Sequence, residues 1–184
     1  MHIQNAYYLI IDLEATCSND GGVPREEMEI IEIGAVMMSS RTYEVEAEFS
    51  SFVRPVQNPH LTEFCTELTT IRQDQVDAAA SFPVVLREFT TWMHRFDDAL
   101  FCSWGDYDRS QFERDCEFHD VRYPFESGHF NVKEAFAQTF SLRKKLGVDA
   151  AVRRLGLKFQ GTHHRGLDDA RNIAQIVRRV CIGA

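Results

Sequence analysis

A run near the N-terminus, Tyr7-Tyr8-Leu9-Ile10-Ile11-Asp12-Leu13-Glu14, most constrains what this chain can become. Short, apolar and rich in β-formers, it fits a strand buried on both faces, yet it ends in two carboxylates. Asp12 and Glu14 lie two apart, so on a strand their side chains point to the same face. Carboxylates at the end of a buried strand are costly unless something neutralises them. A divalent cation does so directly, because hard ions such as magnesium prefer carboxylate oxygens. The plainer alternative is that the strand ends there and both groups reach water.

Beyond Glu14, a polar loop holding Gly21, Gly22 and Pro24 leads to a second apolar run, 28–38, and Ser39-Ser40-Arg41-Thr42 reads as a turn. Tyr43, Val45, Ala47 and Phe49 then alternate with Glu44, Glu46 and Glu48, the period of a half-exposed strand. These three runs predict an antiparallel meander. After Pro55 the spacing turns helical, with short pieces over 60–77. A helix then opens at Ser81-Phe82-Pro83, with a stripe of Val85, Phe89, Trp92 or Met93, and Phe96. Residues 99–103 read as a fourth strand, and 108–118 as a helix with Phe112 and Cys116 on one face. The clearest helix is the last, where Leu167, Ala170, Ile173, Val177 and Val180 form the apolar stripe and Arg178 and Arg179 favour the C-terminal end. The class is α/β, antiparallel strands first and helices after. With 184 residues and no repeat or linker, one domain over 1–184 is expected.

An apolar fraction of 44% supplies a core, which excludes a disordered chain. No apolar run approaches the roughly 20 residues that span a bilayer, so no membrane partner is expected. Met1-His2-Ile3-Gln4-Asn5 lacks the features of a secretory signal, and a cytoplasmic location is expected. The scattered cysteines, Cys17, Cys65, Cys102, Cys116 and Cys181, form no C-x-x-C pair. They fit small buried hydrophobes better than a zinc site or a disulfide framework. A net charge of −8 argues against a broad nucleic-acid-coating surface. The charge is uneven, however: residues 141–184 hold ten Lys/Arg against three acids, a net +7 that leaves −15 for residues 1–140. A basic end beside an acidic body suits a polyanionic substrate held near carboxylates, and a solvated basic helix face is the plainer alternative.

Two further segments carry chemistry. In Gly161-Thr162-His163-His164-Arg165-Gly166-Leu167-Asp168-Asp169, both aspartates fall in the first turn of the last helix. The helix dipole favours acids there, but two acids and an upstream histidine exceed what capping needs. His164 can serve as a loop-borne base near Asp169, titrating in the range suited to proton transfer. In Trp104-Gly105-Asp106-Tyr107-Asp108, a strand gives way to a helix, and either aspartate can be a cap or a ligand. Together, carboxylates from the first strand, this junction and the last helix, with one histidine, suit a two-metal phosphodiester-cleaving site.

These residues resemble the DEDD exonucleases of the ribonuclease H-like fold, in the subgroup whose last motif is H-x-x-x-x-D. The match runs through Asp12-x-Glu14, Asp108 and His164-Arg-Gly-Leu-Asp-Asp169, and the motif spacing selects His164 over His163 and Asp169 over Asp168. Within the subgroup the chain is most similar to the ERI/KapD-type 3′-to-5′ exonucleases, through 12–17, 61–71 and 164–172. Two departures stand out: Tyr107 precedes the mid-chain aspartate where that family often has tryptophan, and Thr70 stands where glycine is common.

The resemblance implies a mixed central sheet, antiparallel meander first, flanked by helices, and a bare catalytic unit without helical accessory domains. It implies two ions, Mg2+ or Mn2+, with Asp12, Glu14 and Asp169 on the first, and Asp12 bridging to a second that Asp108 also holds. His164 would take a proton from the attacking water, completing the catalytic set Asp12, Glu14, Asp108, His164 and Asp169. The partner is a single-stranded nucleic acid 3′ end, with RNA favoured and DNA the alternative, trimmed to nucleoside 5′-monophosphates. By the same resemblance, the backbone around Glu14, Ala15 and Thr16 tests the 3′ hydroxyl, while Leu68, Thr69 and Trp104 pack on terminal nucleotides. For Trp104 a core position is an equal alternative. The competing readings are a DNA-proofreading or repair exonuclease subunit and a catalytically silent nucleic-acid-binding module.

Overall fold

Alternating side chains on the first strand decide the layering. In β1 (Tyr7–Ala15), Tyr8 and Ile10 enter one buried cluster while Leu9, Ile11 and Leu13 enter another on the opposite face. The computed structural model describes residues 3–182; residues 1–2 and 183–184, the ends of the expected 1–184 domain, lie outside the described residues.

β2 (Ile30–Ser39) and β3 (Val45–Phe52) complete an antiparallel meander with β1. β4 (Ala99–Ser103) and β5 (His129–Asn131) add in parallel, giving the order β3-β2-β1-β4-β5. α3 (Phe82–Met93) and α4 (Tyr107–Phe118) cover one face through Phe82, Val85, Phe89 and Phe112. α5 (Val132–Thr139), α6 (Val148–Arg154) and α7 (Gly166–Ile182) cover the other through Phe136, Val152, Ile173 and Val177. α1 (Glu63–Thr69) and α2 (Gln73–Asp77) form a smaller cluster with Cys65, Ile71 and Val76. Among the described residues, no helix is long and apolar enough to cross a membrane.

The expected meander, fourth strand and last helix are all present. β5, α5 and α6 go beyond the elements predicted from sequence. Tyr43, expected on the third strand, sits instead at φ +56 in the connection before it, its amide donating to Ser39 O over 2.9 Å. Phe96 lies past the end of α3 but still packs on the same cluster. Cys65, Cys102 and Cys116 are buried as expected, whereas Cys17 and Cys181 are only half-buried.

Two backbone positions stand out. Thr70 closes α1 at φ +61, which accounts for the glycine common there: a side chain in the left-handed region costs roughly 1–2 kcal/mol. Gly34 lies so close to α7 that a Cβ there would fall 1.9 Å from Gly166 C and 2.0 Å from Leu167 N. Thermal unfolding checks both. Thr70→Gly should raise Tm by about 2 °C, part of the relief being offset by the freer unfolded chain. Gly34→Ala should cost about 3 kcal/mol or more, a fall of roughly 6–12 °C; an unchanged Tm would mean that the helix approaches less closely than described.

Candidate active site

Strand alternation puts Asp12 and Glu14 on the same face as Tyr8 and Ile10, the face that α7 covers. In the β1–β2 register Asp12 pairs with Gly34 and Glu14 with Glu32. Because Gly34 lacks a side chain, the first turn of α7 settles onto the sheet at that point; a Cβ on Gly166 would lie 2.9 Å from Asp12 O and 2.9 Å from Gly34 N. Asp169, in that turn, thereby joins the strand carboxylates. Ligand oxygens of Asp12, Glu14 and Asp169 lie within 4.8 Å of one another.

Asp108 arrives from the other side. The β1–β4 ladder runs only as far as Ile10 and Cys102, and beyond it Asp108 Oδ1 accepts the Leu13 amide over 3.0 Å. That bond ties Asp108, and not Asp106, to the end of β1. Asp108 is buried and borders the same cleft as Asp12, Glu14 and Asp169. Asp106 is exposed and accepts from Asn131 Nδ2 at 2.8 Å.

His163 and His164 both line the cleft, their rings 4.0 Å apart. His164 holds a left-handed φ of +62, and its amide donates to Asp169 Oδ2 over 2.7 Å. Strain of this kind persists where the surroundings over-determine the backbone. His163 Nε2 stands 3.6 Å from Asp169 Oδ1. Asp168 turns away to accept the Thr162 amide and pair with Arg171, so it serves the cap and Asp169 the cluster.

The comparisons with known proteins bear directly on this constellation. The family model described as Exonuclease (RNase_T) matches residues 9–177. The human 3′-5′ exoribonuclease 1 is 36% identical over 183 residues, covering 95% of this chain and 52% of that protein. The mouse ERI1 exoribonuclease 2 is 33% identical over 202 residues, covering 96% of this chain and 29% of that protein. The nuclease domain of 3′hExo, a DEDDh family member solved bound to rAMP, superposes with a TM-score of 0.90 at 34% identity, covering all of this chain and 96% of that one. The chain belongs to the DEDDh exonuclease family. It spans between under a third and about half of the curated relatives named here.

DEDDh exonucleases depend on divalent metal ions, and this chain's donor set fits that need. Burial pushes the Asp12 carboxyl well above its ordinary range, reinforced by Asp108 and Asp169. Burial, with Asp169 and Glu32, takes Glu14 to about 9. Asp108 is raised to about 6 by burial, with the Leu13 amide holding it down. Asp169 is raised, again by burial first. Its Oδ1 is buried without a hydrogen-bond partner among the described residues. Crowded, desolvated carboxylates with a spare buried oxygen are what hard cations relieve.

Of the expected substrate contacts, Ala15, Leu68 and Trp104 line the cleft. Trp104 is also a core residue, packed on Phe136 with Nε1 donating to Leu146 O at 2.9 Å. Thr16 and Thr69 are not among the residues that line it. The Thr16 hydroxyl accepts the Glu29 amide, and the Thr69 hydroxyl donates to Cys65 O and accepts from Ile71. Both threonines are buried and serve the turns that shape the cleft.

Sequence reasoning missed Glu32. It is 1% exposed, receives Arg165 Nε and Nη2 at 3.1 Å each, and accepts the Gly166 amide at 3.0 Å. This bidentate fork ties the His164 loop to β2. The signal available in sequence was a lone glutamate inside an apolar strand. A second cavity, at the N-terminal end of β4, is lined by His94, Asp97, Asp98 and Glu126, but among the described residues these form no group close enough to share an ion.

The raised carboxyls have a consequence for stability. Glu14 titrates higher in the fold than its ordinary 4.5, so its protonation stabilises the fold fully below about 4.5. That contribution is lost as pH rises towards about 9. In chelator, the Tm of wild type minus that of Glu14→Gln should therefore fall steadily across this window. A flat or rising difference would show that Glu14 is not electrostatically crowded.

Proposed function

We propose that this chain is a divalent-metal-dependent exonuclease that trims single-stranded nucleic acid from its 3′ end, RNA in preference to DNA, releasing nucleoside 5′-monophosphates. The observation that carries this reading is the convergence of Asp12, Glu14, Asp108, Asp169 and two histidines on one cleft. Its volume of about 410 Å3 suits a ligand of nucleotide size. Asp12, Glu14 and Asp169 would hold one cation, and Asp12 and Asp108 the second. Magnesium or manganese bound there would supply Lewis acidity at the phosphodiester and lower the pKa of water.

His164 takes the proton from the attacking water. Burial, then the neighbouring His163, lowers its pKa and keeps the imidazole neutral and basic near pH 7. The backbone of Glu14 and Ala15 faces the terminal sugar, and Leu68 with the exposed edge of Trp104 flanks its base, a sequence-tolerant grip. The preference for RNA is supported by the exoribonucleases among the relatives and by the rAMP-bound nuclease domain.

A time course on 5′-labelled single-stranded RNA and its DNA counterpart, in magnesium, manganese or EDTA, tests the proposal. A metal-dependent ladder shortening from the 3′ end is expected, faster on RNA. Asp12→Ala should lose activity by orders of magnitude and His164→Ala by roughly 10²–10⁴-fold near neutral pH, while Asp106→Ala keeps it. Faster trimming of DNA would favour the repair reading. Binding without cleavage of either strand would favour a silent module.

A further inference from the structure

Half of the ten basic residues in 141–184 are paired with acids within the fold. Lys145 pairs with Glu134, Arg153 with Asp149, Arg165 with Glu32, Arg171 with Glu48 and Asp168, and Arg178 with Glu44. Arg143, Lys144, Arg154, Lys158 and Arg179 are exposed and have no acidic partner among the described residues, and of these Arg143 and Lys144 stand side by side. They lie in the segment joining α5 to α6, which is fastened to the cleft twice. Trp104 Nε1 donates to Leu146 O, and Gly147 and Val148 form part of the cleft wall. Lys133, likewise without an ion pair among the described residues, lies beside Gly105, the neighbour of Trp104. The acids nearby, Glu134 and Asp106, face Lys145 and Arg109. On the opposite wall, Leu68 belongs to α1, whose exposed charges are Glu63 and Glu67. The exposed charges of α1 are thus two carboxylates, whereas the chain leading into Gly147 and Val148 carries Arg143 and Lys144.

We propose that the segment 141–147 carries the sugar-phosphate backbone of the substrate strand away from the cleft, with Arg143 and Lys144 on phosphates 5′ of the terminal nucleotide. This rests on the exonuclease reading above. Its role is grip on the strand rather than chemistry, so it serves long substrates and not minimal ones. The contacts are phosphate contacts without base readout, and each adds to the salt dependence by about 0.7 in log-log slope on a single strand.

The test compares wild type with Arg143→Ala/Lys144→Ala on two substrates: a single-stranded oligoribonucleotide, and the p-nitrophenyl ester of thymidine 5′-monophosphate, which has no phosphate 5′ of the terminal nucleotide. On the oligonucleotide, kcat/KM should fall about tenfold at roughly 100 mM salt, mostly through KM. The slope of log kcat/KM against log salt should become shallower by about 1.4. Hydrolysis of the ester reports whether the carboxylate site is intact. Arg179→Ala, an exposed charge on α7, controls for net charge and should leave the slope unaltered. An unchanged oligonucleotide rate and slope overturn the proposal, as does an equal loss on both substrates, which would place the effect in the cleft. A wild-type chain that hydrolyses neither substrate overturns the exonuclease reading and, with it, this one.

Discussion

The contact on which the rest of the site depends is backbone against backbone. Gly34 in the middle of β2 and Gly166 at the start of α7 meet with no side chain between them. This lets the first turn of a helix rest on the end of a sheet, so that Asp169 enters the space Asp12 and Glu14 already occupy. The Glu32–Arg165 fork and the Gly166 amide pin the same approach from the flank. A side chain at either glycine would lift the helix and separate residues far apart in sequence that must act within a few ångströms.

The arrangement is electrostatically expensive. Carboxylates are gathered at the edge of an apolar core, where burial and mutual repulsion hold their protons on. The structure compensates locally, by the Leu13 amide on Asp108 and the His164 and Arg165 amides on Asp169, but leaves Asp169 Oδ1 without a hydrogen-bond partner among the described residues. Such sites trade stability for function. A cation offsets the repulsion, and it allows an acidic cleft to receive a phosphate.

Much of this was legible in the sequence because it obeys simple periods. Asp12 and Glu14 share a face because strands repeat every two residues, whereas Asp169 over Asp168 came from the H-x-x-x-x-D spacing of the family resemblance. Asp108 over Asp106 came from the resemblance and from no period, since the placement turns on one amide left free where the β1–β4 ladder stops. The burial of Thr16 and Thr69 was not legible, because side-chain direction at a strand end or helix cap depends on hydrogen bonds such as Thr16 to Glu29. Charge alone could not sort the basic C-terminal segment into paired and unpaired residues: Arg178 meets Glu44 across 134 residues, and no local pattern announces such a partner.

The central claim is that these carboxylates form a metal site, and manganese titration followed by electron paramagnetic resonance tests it most directly. Two ions per chain are predicted for wild type, with at least one lost in Asp169→Asn while the fold, judged by circular dichroism, persists. No saturable binding by the wild-type chain, or binding that Asp169→Asn leaves unchanged, would contradict it.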